Sequence, residues 1–209
     1  MAEERFSIVE SWRAYISFMV GVTSPRPMAF DTVDLWAFAS VSIVLDKVAS
    51  EFPRGHGGMS GFHFALTFVP YAIGMAWGTA TMLVGWIVSA GYAHVSARFV
   101  GGQASFTATL HSVVAVLTCT YGVVSLGVLG FMLAASALGA PHGKLAAHVT
   151  LFSVAAQFVM LMWLLPMRLG VVHSLTTGQR VAVALMQLLP AVVLGMLLYG
   201  AVSFLNSMV

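Results

Sequence analysis

Residues 106–137 read FTATLHSVVAVLTCTYGVVSLGVLGFMLAASA, and this stretch decides the fold class. It contains no Asp, Glu, Lys or Arg, and none occurs anywhere between Arg98 and Lys144. A helix needs about 20 predominantly apolar residues to cross the hydrocarbon core of a bilayer. The stretch therefore predicts a transmembrane helix.

The rest of the chain has a similar composition. Only 8% of its 209 residues are charged and 59% are hydrophobic, whereas soluble domains carry about 25% charged residues. Uncharged apolar stretches recur at 62–93, 146–167 and 181–204. Together with residues 106–137, they predict an all-α, multi-pass transmembrane helical bundle with four strong spans.

A fifth span, short and weak, is predicted from Asp34 to Ala49. Its uncharged part covers about half a bilayer at ~1.5 Å per residue, so Asp46 and Lys47 are the residues hardest to place at depth. We expect them at the exposed outer end of this helix; pairing with neighbours or binding a partner are the alternatives. With four spans or with five, six of the nine Lys and Arg residues share the side of the N-terminus. Both arrangements therefore place the N-terminus in the cytoplasm.

Residues 1–26 form a separate N-terminal segment with helical periodicity. Apolar residues recur every three or four positions on one face, at Phe6, Val9, Trp12, Ile16 and Met19. This pattern is typical of an amphipathic helix lying in the membrane interface, and a short helix packed on the bundle is an equally good interpretation. Residues 27–209 are predicted to form one transmembrane domain.

Several function classes are disfavoured by the residue types present. No acidic residue follows Glu51, and no nucleophile–base pair, phosphate-binding loop or metal motif is apparent, so we expect neither an enzyme nor a bound cofactor. The net charge of +2 is too small to indicate nucleic acid binding. A channel or carrier is a weaker alternative, because the four strong spans contain no ionisable residue except histidine.

Histidines leave a redox alternative open. A b-type haem needs two imidazoles at one depth on different helices, and the pairs that meet this condition are His63 with His148 and His94 with His111. The protein would then be a small haem-carrying anchor subunit of a redox complex. Histidines near span ends are more commonly satisfied by water or lipid headgroups.

The loop before residues 106–137 has the strongest sequence signals for a defined local structure. Consecutive glycines allow a turn with positive φ, and Ser105 can cap the next helix. We interpret the loop as a candidate docking surface for a partner, formed by Arg98, Gly101, Gly102, Gln103, Ser105 and Phe106. A tight helix connection without a ligand is the alternative. Elsewhere, Gly74 and Gly78 form a small-residue pair that favours close helix packing.

Three stretches together resemble the Yip family, which comprises multi-pass membrane proteins similar to the Ypt/Rab-interacting proteins. Gly101-Gly102-Gln103-Ala104-Ser105-Phe106 matches the family's Gly-Gly, two variable residues, Ser-Phe pattern. Asp34-Leu35-Trp36 resembles the start of its first span, and Trp163-Leu164-Leu165 followed by Leu169-Gly170-Val171 and 174–180 resembles its last inter-helix region. The resemblance covers residues 27–205. It departs at 116–120, where family members commonly carry Tyr and then Pro.

The resemblance implies five spans, with the N-terminus and the Gly-Gly loop in the cytoplasm. The short N-terminal region resembles the bacterial branch, so we expect no Rab GTPase partner and a place in the bacterial inner (cytoplasmic) membrane. The function expected is that of a non-catalytic accessory protein. It would bind lipid or other integral membrane proteins of a larger complex, for which a transporter is one candidate by resemblance.

Overall fold

A computed structural model of the chain describes residues 8–24, 32–51, 61–138 and 142–189. These residues form six helices and no strand: α1 (Ile8–Val22), α2 (Thr32–Glu51), α3 (Gly61–Phe99), α4 (Phe106–Ala137), α5 (His142–Val172) and α6, described over 177–189. The predicted all-helical architecture is confirmed for this part of the chain. Two helical stretches within it, Phe106–Ala135 and Leu151–Val172, are long and apolar enough to cross a membrane.

Helix α4 is the centre of the bundle. It packs most extensively against α2 and α5, and it also contacts α3 and α1. Each side of α4 is therefore covered over residues 113–120, all of which are buried. This explains why the most hydrophobic stretch of the sequence is uncharged on every face, since no face of its middle meets solvent.

Helices α2 and α4 run in the same direction. Thr32 lies next to His111 near the start of α4, and Asp46 lies next to Ser125 well beyond its middle. Helices α3 and α5 run the opposite way, because His94 and His173, near their C-terminal ends, both meet Thr109 in the first turn of α4. Each helix from α3 to α5 therefore runs antiparallel to the helix before it.

Helix α1 packs on the bundle, with side chains against α2 and α4. Tyr15 lies against Ser42 and Gly122, and the Met19 carbonyl accepts a hydrogen bond from Cys119. The buried stripe consists of Tyr15, Phe18, Met19 and Val22. Of the predicted interfacial stripe, Met19 is buried, whereas Trp12 and Ile16 are exposed. Phe6 and the side chain of Val9 lie outside the described part of the chain.

These contacts correspond to the packed-helix interpretation of the N-terminal segment. They also shift its buried face from the one that periodicity predicted. The shift has a physical cause: Gly122 leaves a notch on α4 into which the Tyr15 hydroxyl fits, and a Cβ at position 122 would collide with that hydroxyl.

Helix α2 is longer than the sequence predicted. Its 20 residues reach about 30 Å, the thickness of a hydrocarbon core, and it continues through Asp46. The expectation that Asp46 is exposed at an outer end was wrong. Its carboxylate is half-buried and accepts hydrogen bonds from Ser125 Oγ and Gln157 Nε2, at 3.2 and 3.1 Å. These donors allow the helix to hold an acid against the interior of the bundle. The Lys47 side chain is outside the described set.

Candidate functional site

The predicted docking loop begins with a tight C-cap on α3. Gly101 N–H donates to the Arg98 carbonyl and Gly102 N–H to the Ala97 carbonyl, at 3.0 and 2.8 Å, and Gly101 has φ +98°. This is the Schellman arrangement, in which a residue of positive φ follows the helix. The glycine turn predicted from the sequence is confirmed, and each glycine has its own reason to be there.

Gly101 adopts the positive φ that the turn requires, and Gly102 is needed because its position leaves no space for a side chain. A Cβ at position 102 would lie 2.6 Å from His173 Nδ1 and 2.7 Å from the Ala97 carbonyl oxygen. The loop therefore passes directly against the end of α5. Ser105 then caps α4 as predicted, because its Oγ accepts a hydrogen bond from Ala108 N–H at 3.3 Å.

A second turn, between α5 and α6, repeats the same geometry beside the first. Leu175 N–H donates to the Gly170 carbonyl at 2.9 Å, and Ser174 takes the position of positive φ, at 54°. Thr176 and Gln179 then form a capping box at the start of α6. Thr176 N–H donates to Gln179 Oε1 at 2.8 Å, and Gln179 N–H donates to Thr176 Oγ1 at 3.4 Å.

Two side chains join the turns. Gln179 Nε2 donates to the Val100 carbonyl at 2.6 Å, and Ala104 N–H donates to His173 Nδ1 at 3.2 Å. Both bonds end on backbone groups of the α3–α4 loop, so they fix its path rather than the rotamer of one side chain. The α5–α6 turn therefore contacts the α3–α4 loop and fixes the path of its backbone.

A histidine–threonine–histidine cluster lies beneath this joint. The Thr109 hydroxyl, which is fully buried, lies 2.8 Å from His173 Nε2 and 2.9 Å from His94 Nδ1. Because Ala104 N–H needs an acceptor at Nδ1 of His173, the proton of the neutral ring is on Nε2 and is donated to Thr109. The Thr109 hydroxyl has one proton to share between the Ser105 carbonyl and His94. The cluster connects α3, α4 and the end of α5.

Burial lowers the pKa of His173 below its usual value, and the neighbouring His94 and Arg98 lower it further. The three causes all disfavour a second proton on the ring. The neutral form is also the one that the Ala104 hydrogen bond requires. The joint is therefore built around an uncharged imidazole.

The predicted docking residues divide into exposed and buried ones. Those with exposed side chains or backbone are Arg98, Gly101, Gln103, Ser105 and Phe106. Gly102 is buried, and Arg98 also donates to the Gly102 carbonyl at 3.3 Å. A cleft of about 390 Å³ opens between the two turns and is lined by Gly101, Gln103, Ala104, Val172, His173, Ser174 and Gln179.

The site includes residues that were absent from the predicted set. His173, Thr109 and Gln179 hold the loop, although sequence reasoning assigned the loop to its own residues alone. The Thr-x-x-Gln spacing at 176–179 is a capping-box signal that could have located the start of α6. No local pattern could have revealed His173 and Thr109, since 64 positions separate them.

The other predicted motif residues lie on α2 and α3. Leu35 is fully buried, Trp36 packs against the core and Asp34 is exposed in the first turn of α2. Gly74 and Gly78 lie on α3, and their close helix packing stays a prediction because the side chains of 61–75 are outside the described part.

The structure does not bring His94 and His111 together as a haem pair. His94 faces Thr109, whereas His111 Nε2 lies 3.5 Å from Thr32 Oγ1, on α2. Thr109 and His111 are about 200° apart around α4, so they serve opposite sides of the helix. The His148 side chain is exposed and that of His63 is outside the described residues. In the described ranges, no group of three or more His, Cys, Asp or Glu could hold a metal ion.

A second polar cluster lies in the interior, where α2, α4 and α5 meet. The Asp46 carboxylate and its donors Ser125 and Gln157 lie one helical turn from Ser42, whose hydroxyl bonds Tyr15 and the Thr118 carbonyl at 2.6 and 2.9 Å. The Thr118 hydroxyl is fully buried, and among the described residues it has no hydrogen-bond partner. Polar groups thus extend along the α2–α4 interface.

Comparisons of the chain with protein-family models, curated proteins and solved structures give no match.

Proposed function

We propose that the chain is a five-span integral membrane protein, with its N-terminus in the cytoplasm, that acts as a non-catalytic accessory protein. It binds membrane partners through the exposed residues of the α3–α4 loop. The spans are α2, α3, α4, α5 and the helix that begins at residue 177. The partners are other integral membrane proteins of a larger complex, with lipid around the helices.

The distribution of apolar side chains supports a membrane location. Large apolar residues are exposed along the outer faces of α3 and α5, and Trp77 and Trp163 are 75% and 73% exposed. Polar side chains such as Ser42 and Asp46 instead face the interior and are hydrogen-bonded there. Apolar outer surfaces with polar groups paired inside suit a bundle surrounded by lipid.

The docking proposal rests on one observation: the α5–α6 turn fixes the backbone of the loop, while residues on the outer side of the loop remain exposed. His173 and Gln179 fix its backbone, and Arg98, Gln103 and Phe106 point outward. A surface held rigid before binding loses little conformational entropy when a partner docks. The two Schellman turns place this surface at one end of the bundle, where a cytoplasmic partner domain can reach it.

The resemblance to the bacterial branch of the Yip family agrees with this proposal. Two of its motif stretches, the Gly-Gly loop and the turn at 174–180, are joined through Gln179 and Val100. The third begins at Asp34, near the same end of the bundle, since Thr32 lies beside His111. By that resemblance, a transporter of the inner membrane is a candidate partner complex.

The test is extraction of the protein from its native membrane in a mild detergent, followed by mass spectrometry of what remains bound. We expect stoichiometric membrane proteins with the wild-type chain. Arg98→Glu combined with Gln103→Trp should lose them, because both changes lie on the exposed side of the loop. Arg13→Glu, at an exposed arginine of α1, is the matched control and should retain them.

A wild-type chain that is extracted alone and at full yield would contradict the docking proposal. So would equal partner recovery from the loop double variant and from the control. Gln103→Trp alone, which keeps the hydrogen bond from Arg98 to the Gly102 carbonyl, should also lose the partners while its thermal unfolding matches that of the wild-type chain, which separates lost docking from lost folding.

A second candidate function, a carrier or channel, is favoured by the interior acid. Asp46 lies between three helices and is followed toward Ser42 by further polar groups along the α2–α4 interface. Ionisable residues inside membrane bundles commonly mark ion or proton paths. Proteoliposomes containing the protein should then show cation or proton flux, and Asp46→Asn should abolish it while Asp34→Asn, at an exposed position, should not. Liposomes without flux would remove this candidate.

A further inference from the structure

A groove runs between α1 and α2 on the outside of the bundle. It has a volume of about 480 Å³ and is lined by Ser11, Trp12, Ala14 and Tyr15 of α1 and by Asp34, Ala37, Phe38 and Val41 of α2. This size is within the range of small-molecule sites. Most of its lining is apolar, so it suits a hydrocarbon chain better than a polar solute.

The walls of the groove are aromatic and fixed by packing. The ring centroid of Tyr15 lies 5.7 Å from that of Trp12 and 5.6 Å from that of Phe38. Tyr15 is held in turn by its hydrogen bond to Ser42 and by the notch at Gly122. The groove is therefore preformed rather than opened by a ligand.

One end of the groove carries a negative charge. Asp34 is the single charged residue of its lining, and within the described part of the chain no hydrogen bond or ion pair occupies its carboxylate. Asp34 lies in the first turn of α2, where the helix dipole favours an acidic residue. A carboxylate beside aromatic rings attracts an organic cation, because the ring faces are negative as well.

We propose that this groove binds a membrane phospholipid with a primary ammonium headgroup, of the ethanolamine type. The ammonium group pairs with Asp34, and part of an acyl chain lies along Ala37, Phe38 and Val41. The inference rests on the proposed function only in placing α1 and α2 in contact with lipid. It concerns a different surface from the docking loop.

The test is native mass spectrometry of the protein released from nanodiscs that contain equal amounts of ethanolamine and glycerol phospholipids. The wild-type chain should retain the ethanolamine lipid preferentially, by about fivefold, as a favourable exposed cation interaction implies. Asp34→Asn should reduce this preference to parity. Glu10→Gln, at an acid of α1 outside the groove, should retain it.

Filling the groove tests its location. Ala37→Phe should lower retention of both lipids, whereas Ala134→Phe, at an exposed alanine of α4, should not. Brominated ethanolamine lipid should also quench a Trp12 signal, obtained as the fluorescence difference between the wild-type chain and Trp12→Phe. Equal lipid preference in Asp34→Asn and Glu10→Gln would overturn the proposal, as would unchanged retention in Ala37→Phe.

Two further outcomes separate this inference from others. Saturable binding of dodecylammonium without retention of the phospholipid would overturn the lipid assignment. If the lipid test fails while membrane partners are still recovered through the loop, this inference falls and the docking function stands. Asp34→Asn should leave that partner recovery unchanged.

Discussion

At the scale of single residues, Ser174 occupies a conformation that favours glycine. Its φ of 54° lies in the left-handed region, and its side chain is exposed. Replacing it with glycine should stabilise the protein by about 1 kcal/mol, because the Cβ conflict is removed. Thermal unfolding in detergent measures the gain. Ser153→Gly, within α5, is the matched control and should destabilise instead, and the same sign for both would contradict the account.

The glycines of the docking loop allow a second comparison at this scale. Gly101→Ala should cost about 1 kcal/mol through backbone strain alone, since its Cβ would meet only Gln179 Nε2, at 3.4 Å. Gly102→Ala should cost more, because its Cβ would collide with His173 and with the Ala97 carbonyl. Unfolding free energies in the reverse order would show that the loop is not packed on α5.

His173 makes the stability of the joint depend on pH. Its pKa is lowered in the folded protein by burial, His94 and Arg98, so the unfolded chain binds the proton more tightly. Stability is then complete above the unfolded value of about 6.5 and falls as the pH drops below it. The melting temperature should decrease between pH 7 and pH 5. His173→Gln, which keeps a donor and an acceptor, should show a smaller decrease, and equal decreases would contradict the role of His173.

At the scale of helices, the position of α1 depends on one buried arginine. Arg168 of α5 is 4% exposed and donates to the Val22 and Gly21 carbonyls, both at 2.7 Å. These carbonyls belong to the C-terminal end of α1, where the helix dipole favours a cation. The guanidinium group therefore both caps α1 and attaches it to the bundle.

Arg168→Met should loosen α1, at a cost of about 2–3 kcal/mol, since two carbonyls lose charged donors. Hydrogen exchange should quicken in α1 and stay slow in the middle of α4. Arg180→Met is the control, because among the described residues Arg180 donates to the Leu175 carbonyl and not to α1. Uniform acceleration over the whole bundle, or none in α1, would contradict this role.

The helices also show which parts of the fold could be predicted. The turn at Gly101 and the cap at Ser105 follow from neighbouring residues and were predicted correctly. The buried face of α1 was not, because Gly122 and Arg168 decide it from more than 100 positions away. The length of α2 was underestimated for the same reason, since the side chains that donate hydrogen bonds to Asp46 lie on α4 and α5.

At the scale of the whole molecule, the bundle has two distinct ends and an apolar outside. The end that carries the docking loop contains both Schellman turns, the His94–Thr109–His173 cluster and the exposed Arg98. The two helical stretches that are long and apolar enough to cross a membrane were predictable from composition alone. The joint between the loop and the α5–α6 turn was not, because it is assembled from residues far apart in sequence.

In the proposed topology, α4 crosses the membrane with the docking loop on the cytoplasmic side. The most direct measurement is labelling with a membrane-impermeant maleimide, in a chain whose buried Cys119 is replaced by alanine. A cysteine at Gln103 should react only after the membrane is opened, and one at Leu138 should react in intact cells. Both positions are exposed, so either can react once it is reached. Labelling of both positions in intact cells, or of neither, would contradict the account.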